Sequence, residues 1–281
     1  MTEGHASIGA AAREGNNLLL RIAAALVMAP LAIAIAYAGG WLWTGLVTVA
    51  AIGLYAEWLT VTGARNLALL LLGALVLLGA AWIESGHFTA ANVSIVVALG
   101  VVVATIFSSE RRSWAVLGIG YALAASIASS MVRRDPDSGF AALMLVLLTV
   151  WATDIGGYFA GRLIGGPKLW PQVSPKKTWA GAVGGFVASL AVAVGFAAFD
   201  LGKFMPLLLL AAALSVAAQL GDLFESAVKR RFGVKDSSHI IPGHGGLMDR
   251  LDGFVAAIVL AAIFGFLRGG ADGVGHALMV W

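Results

Sequence analysis

"FMPLLLLAAALSVAAQLGDL", Phe204 to Leu223, is a run of 20 residues whose single charge is Asp222, near its end. A helix that crosses a bilayer needs roughly 20 predominantly apolar residues. Such a helix satisfies its backbone hydrogen bonds internally, as water-free hydrocarbon requires. The run therefore reads as a membrane span. Outward from it, the same criterion finds about nine candidates: 18–38, 41–61, 66–83, 91–107, 114–132, 140–161, 178–199, 204–223 and 253–268. The expected fold is all-α, a polytopic integral membrane protein with about nine transmembrane helices forming a single membrane domain over residues 1–281.

Composition agrees. Of 281 residues, 60% are hydrophobic and 12% charged, with a mean hydropathy of +0.91. Soluble domains carry about 25% charged residues, so the surface of this chain is expected to meet lipid. There is no cysteine, which excludes disulfides and thiolate metal sites. The net charge of +3 fits a bias of cytoplasmic loops better than nucleic-acid binding. Met1 to Asn17 has two acids and one base and lacks the basic start and short apolar core of a cleaved signal peptide.

With the N-terminus placed inside, 14 of the 18 Lys and Arg fall on the inner side, and Arg133, Arg134, Lys203 and Arg268 fall outside. That asymmetry predicts a cytoplasmic N-terminus and an outer C-terminus. Arg133 and Arg134 are the local exception, followed by Asp135 and Asp137. Trp41, Trp43, Trp82, Trp114, Trp170 and Trp179 fall near span ends, where interfacial aromatics are expected. Gly157, Gly161 and Gly165, and again Gly181 and Gly185, recur every four residues, which predicts close helix packing.

Two loops exceed tight connections, 162–177 and 224–252, and both fall inside. Helices 18–132 are thus expected as scaffold and 140–268 as the catalytic half. If the eighth helix continues inward, Gln219, Asp222, Ser226 and Lys229 share one face, with Glu225 alongside. Asp249 and Asp252 point the same way at the start of the ninth, although acids also suit any first turn. The glycines of "GHGG", Gly243 to Gly246, let backbone amides approach an anion. Carboxylates here suit a hard cation such as Mg²⁺, and the bases suit the oxygens of a polyphosphate. In the other loop, "SPKKTW" sets Ser174 and Thr178 beside Lys176 and Lys177; alone these are ordinary membrane anchors or phosphate ligands. Asp154 lies within the sixth span, where a carboxylate is costly and a function is the default expectation. Glu57, near the inner end of the second span, carries a weaker version of that expectation, since it is placed to snorkel to the interface. Neither a P-loop nor an H-E-x-x-H zinc motif nor G-x-S-x-G occurs.

"SAVKRRFGVKDSSHIIPGHGGLMDRLD", Ser226 to Asp252, resembles the signature of the phosphatidate cytidylyltransferase family. Ser226, Lys229, Arg230, Lys235, Asp236, Ser238, Pro242, His244, Gly245, Gly246, Asp249, Arg250 and Asp252 all match its polar and turn positions. The stretch from Asp154 to Gly181 is similar to the second conserved region, with Ile155 and Ala180 as departures.

The resemblance implies that CTP and phosphatidate react to give CDP-diacylglycerol and pyrophosphate at the inner face of the cytoplasmic membrane, with Mg²⁺ and, in a two-cation site, a second ion. It also implies a homodimer, which the glycine-spaced faces would allow. Asp222, Asp249 and Asp252 are then expected as metal ligands. Lys229, Arg230, Lys235 and Arg250 would neutralise phosphates, with Gly245 and Gly246 admitting the polyphosphate. Asp154, Ser174, Lys176, Lys177, Thr178, Ser226, Asp236 and His244 would complete the substrate pocket. Two rivals remain at this point: a cytidylyltransferase for another lipid phosphate, and an ion or anion transporter using Asp154 and Asp222. The transporter predicts charges near the membrane centre, whereas here they gather at one interface.

Overall fold

The computed structural model describes residues 26–86, 89–108, 110–238 and 245–281. His244, expected in the site, and Arg13 and Arg21 of the charge count lie outside the described residues. The elements are α1 (Leu26–Ala38), α2 (Gly40–Val61), α3 (Leu67–Glu84), α4 (Ala90–Phe107), α5 (Arg112–Arg134), α6 (Gly139–Leu163), β1 (Lys168–Trp170), β2 (Ser174–Thr178), α7 (Trp179–Ala198), α8 (Phe204–Arg231), α9 (Met248–Gly269) and α10 (Val274–Met279). Local chemistry explains several starts. Asn66, Thr89 and Thr178 each accept a bond from an amide of the first turn of α3, α4 and α7, which satisfies a donor the helix itself cannot. Pro206 sits in the first turn of α8, where its missing N–H removes no intrahelical bond.

Among the described residues, seven helices, α2, α3 and α5 to α9, are long and apolar enough to cross a membrane, with mean hydropathies of 1.4 to 2.3. α1 and α4 are shorter apolar helices. Large apolar side chains face outward along them, among them Leu75, Leu117, Val187 and Leu209. The protein is a helical, multi-pass membrane protein.

Its interior has two main cores. One gathers α6 to α10 around Leu143, Leu145, Leu207, Leu214 and Ile258. The other joins α2 to α5 around Tyr55, Leu69, Leu77 and Ile119. Between them a third cluster, with Leu54, Trp58, Val228, Met248 and Val255, ties α2 and α5 to α8 and α9.

α6 and α7 nearly touch along their glycines. A Cβ on Gly181 would lie 2.9 Å from the Gly157 carbonyl oxygen, and one on Gly157 would lie 3.3 Å from that of Gly181. The predicted close packing is thus internal to the chain, so these glycines are not free to build a dimer face.

Several expectations change. The loop at 162–177 holds an antiparallel hairpin, β1 with β2, pairing Lys168 with Thr178 and Trp170 with Ser174. α8 runs on to Arg231 and α9 begins at Met248, so the second loop spans only 232–247. The last residues, left without an element from hydropathy, form α10, which buries Val274, Ala277 and Leu278. Trp43 is a core residue, and its indole donates to the Ser129 carbonyl at 3.3 Å. Arg133 and Arg134, the exception to the charge rule, have structural work. Arg133 donates to the carbonyls of Ala36 and Tyr37 at the end of α1, at 2.5 and 2.9 Å. Arg134 donates to the Glu84 carbonyl at the end of α3, at 3.1 Å. Orphan carbonyls at helix ends need such donors.

Candidate active site

Where the C-terminal ends of α6 and α8 and the N-terminal ends of α7 and α9 meet the hairpin, they border, with Asp236 and Gly245, a cavity of about 1300 Å³. Five bases line it, Arg162, Lys176, Lys177, Lys229 and Arg250, and five acids, Asp154, Asp222, Asp236, Asp249 and Asp252. Trp151, Tyr158, Leu169, Gly157, Gly161, Gly181 and Ala182 supply apolar and open wall. Pockets for single small molecules run to about 1,000 Å³, so this one is roomy enough for two polar head groups at once. Trp151 lies 12 residues before the end of α6 at Leu163, about 18 Å along the helix. One wall of the cavity thus continues along the apolar length of α6.

Close backbone contact sets the acids. A Cβ on Gly221 would stand 2.6 Å from the Asp252 carbonyl oxygen, and one on Gly253 would stand 3.2 Å from that of Ala218. α8 and α9 therefore cross backbone to backbone beside Asp222 and Asp252. Asp222 pairs with Lys177 of β2 across the cavity, and the Ser226 hydroxyl lies 3.4 Å from Asp222 Oδ1. Gln219 donates to the Ala182 carbonyl at 3.3 Å, bracing α8 against α7.

Asp249 is held more firmly. Its Oδ2 accepts from the Ser237 amide, the Ser237 hydroxyl and the Gly246 amide, each at 3.0 Å. Its Oδ1 meets the Lys229 ammonium. Lys229 stands in turn 2.6 Å from Glu225 Oε2. Glu225 is 1% exposed, and its oxygens have no other partner among the described residues. Lys229 thus stands between two carboxylates that answer its charge.

The expected site residues divide. Asp154, Lys176, Lys177, Thr178, Asp222, Lys229, Asp236, Gly245, Asp249, Arg250 and Asp252 share the cavity wall. Thr178 also caps α7 through Gly181 N at 3.0 Å. Ser174, Ser226, Arg230, Lys235 and Gly246 are off the wall. Arg230 donates to the Val234 carbonyl at 3.0 Å and closes the turn after α8. Lys235 is exposed on the loop. Gly245, at φ +84°, takes a left-handed conformation that favours glycine. Gly246 is glycine for another reason: a Cβ there would lie 2.7 Å from Glu57 Oε2 and 2.9 Å from the Ser238 amide.

Sequence reasoning put Glu225 beside the charged face of α8 without giving it a role, and it passed over Ser237 and the pocket role of Arg162, which it had counted only among the inner basic residues. Glu57 does not snorkel; it is 1% exposed and bonded to the signature loop. Its position in a span, four residues after Gly53, was the available signal.

Among the described residues no three His, Asp or Glu side chains stand close enough to enclose a metal ion. Mg²⁺ suits such a place, because it is commonly held by one or two carboxylates together with substrate phosphates and water. Asp222 and Asp252 face the cavity, and Asp249 is oriented through Oδ2 so that Oδ1 is open to exchange. The donor set fits a cation that arrives with a polyphosphate.

Fold and site together define a polytopic membrane protein with a cavity lined by five bases and five acids at one end of its helices. The pattern of the cytidylyltransferase family matches residues 19–267. A phosphatidate cytidylyltransferase of Brucella suis biovar 1 is 37% identical over 262 residues, covering 89% of this chain and 94% of that one. Others, from Staphylococcus haemolyticus and Bacillus subtilis, are 41% identical over 160 residues and 44% identical over 129. They cover 56% and 44% of this chain and 60% and 47% of their own. The chain belongs to the cytidylyltransferase family.

Proposed function

We propose that this protein transfers the cytidylyl group of CTP to phosphatidate, giving CDP-diacylglycerol and pyrophosphate. The observation that carries this is the meeting of Lys176, Lys177, Asp222, Lys229, Asp249, Arg250 and Asp252 around one cavity whose wall continues into a membrane-spanning helix. A water-soluble polyphosphate and a lipid phosphate can both reach such a place.

In the transfer a phosphate oxygen of the lipid attacks the α-phosphorus of CTP. The bond from that phosphorus to the bridging oxygen breaks, and pyrophosphate leaves in line. A phosphate monoester is already ionised at neutral pH, so no strong general base is required. Catalysis then consists of holding two mutually repelling anions together and stabilising charge on the leaving group. Lys177 exchanges Asp222, and Lys229 exchanges Asp249 Oδ1, for phosphate oxygens. Arg250 and Lys176 add positive charge at the rim, and Arg162 and Tyr158, joined at 2.7 Å, border the lipid side. Asp222 and Asp252, with Asp249 Oδ1, would hold Mg²⁺, and a second cation where two bind; the ion supplies charge neutralisation on the phosphates. Asp154, Asp236 and Gly245 contribute to the wall of the substrate pocket. Ser174 of β2, Ser226 and Arg230 of α8, and Lys235 and Gly246 stand around it, and His244 completes the substrate-binding set.

Nine crossings, counting α1 and α4, with a cytoplasmic N-terminus would put this cavity on the cytoplasmic face of an inner membrane, where CTP is found. The 14-to-4 charge asymmetry supports that orientation. The homodimer implied by family resemblance would use lipid-exposed faces other than the α6–α7 glycines.

The test is pyrophosphate release by the detergent-solubilised protein with CTP and Mg²⁺, against phosphatidate, an ether-lipid phosphate and no lipid. Release dependent on phosphatidate supports the proposal. Release with the ether lipid alone selects the rival substrate, and release with neither removes the transferase.

A further inference from the structure

Glu57 lies on α2, in the half expected to serve as scaffold, 190 residues before Leu247. It is 1% exposed, and a buried carboxylate must have its charge answered by partners. Oε1 accepts from the Ser238 hydroxyl at 2.5 Å and the Leu247 amide at 2.8 Å. Oε2 accepts from the Ser237 hydroxyl at 2.8 Å and the Met248 amide at 2.7 Å. The amides of Leu247 and Met248 open α9, which has no capping side chain of its own. The start of a helix leaves amides unpaired and carries partial positive charge. A carboxylate from a different helix therefore caps α9.

The approach is built in from both sides. A Cβ on Gly53, one turn before Glu57, would lie 2.8 Å from Leu247 Cδ2. One on Gly246 would lie 2.7 Å from Glu57 Oε2. At Gly246 a side chain would meet the Ser238 backbone as well, so glycine is required there, whereas at Gly53 it would displace only the end of the Leu247 side chain.

The cap also reaches the site. The Ser237 hydroxyl, with one proton to give, lies 2.8 Å from Glu57 Oε2 and 3.0 Å from Asp249 Oδ2. Glu57 and Asp249 thus share one donor, and they grip both ends of the loop between Ser237 and Met248. Directly after the capped amides come Asp249, Arg250 and Asp252.

We propose that Glu57 is a positioning residue for the transfer: by gripping Ser237, Ser238 and the first amides of α9, it sets Asp249, Arg250 and Asp252 in the pocket. Its catalytic part rests on the proposed function, and its structural part does not.

Glu57→Gln tests both parts. The amide keeps the volume, but whichever way it turns, its NH₂ faces the N–H of Leu247 or Met248, which cannot accept. Hydrogen exchange of the segment with residues 246–249 is expected to speed by at least about tenfold, as those amides lose protection. A misplacement near 1 Å costs up to about a hundredfold in rate, so kcat per folded protein should fall between about tenfold and a hundredfold. KM for phosphatidate should stay near the parent's, because Arg162, Lys176 and Lys177 are not held by Glu57. A merely structural cap would lower the yield of folded protein and leave kcat of the folded fraction unchanged. Unchanged exchange overturns the proposal, and so does faster exchange with the parent's kcat. Should Glu57→Gln fail to fold, Ser237→Ala, which removes only the shared hydroxyl, decides: a lower kcat supports the proposal and an unchanged one overturns it. A parent that makes no CDP-diacylglycerol defeats the proposed function, and the exchange result then judges the placement alone.

Discussion

Lys229→Met isolates the most heavily charged contact in the structure. The ammonium is buried, 8% exposed, between Asp249 and Glu225. Methionine keeps an unbranched apolar stem of similar reach, so packing against α9 changes little. Asp249 retains Ser237 and Gly246, whereas Glu225 is left with no partner among the described residues. Removing one member of a buried pair costs about 3–5 kcal/mol, because the other must stay buried uncompensated or take up a proton. In a protein of this size that lowers the melting temperature on the order of 10 °C. Adding Glu225→Gln removes the stranded charge and leaves a polar amide, whose unmet bonds cost about 1–3 kcal/mol. The double variant should therefore regain about 2 kcal/mol over Lys229→Met, while transfer stays lost in both because the pocket has lost its cation. Thermal unfolding in detergent, followed through the nine tryptophans, measures this. A single variant as stable as the parent, or a double no more stable than the single, refutes the claim that Glu225 depends on Lys229.

Three further outcomes are expected. Gly246→Ala would drive a methyl group toward Glu57 Oε2 and the Ser238 amide; transfer should fall by about tenfold or more, measured as initial rates on folded protein. Gly181→Val would separate α6 from α7 at the Gly157 carbonyl and should destabilise by about 1–3 kcal/mol, read as a lower melting temperature. Chelation with EDTA should abolish transfer, and added Mg²⁺ should restore it to the parent but not to Asp222→Asn.

Much of the fold was legible because its signals are local. Hydropathy runs located nearly every long helix, and the match from Ser226 to Asp252 located Lys229, Asp236, Gly245, Asp249, Arg250 and Asp252 of the cavity wall. What stayed hidden depends on contacts distant in sequence. Hydropathy is blind to the pairing of Lys168 with Thr178, and a polar stretch with two prolines reads as a loop. α10 is too short for a window built to find spans. Gly246 was assigned to admitting an anion, whereas its neighbour is a side chain from α2. Glu57 looked ready to snorkel because the sequence does not say that α2 faces the start of α9. Arg133 and Arg134 broke the charge rule because their partners are the carbonyl ends of α1 and α3.

The central claim is that the lipid phosphate attacks the α-phosphorus of CTP in this cavity. The direct measurement follows CTP labelled at the α- or the γ-phosphorus, incubated with phosphatidate, Mg²⁺ and the purified protein, with folded Asp249→Asn alongside. The account predicts α-label in the lipid fraction, γ-label in soluble pyrophosphate, and neither transfer in the variant. γ-Label in the lipid, or undiminished α-transfer by Asp249→Asn, would contradict it.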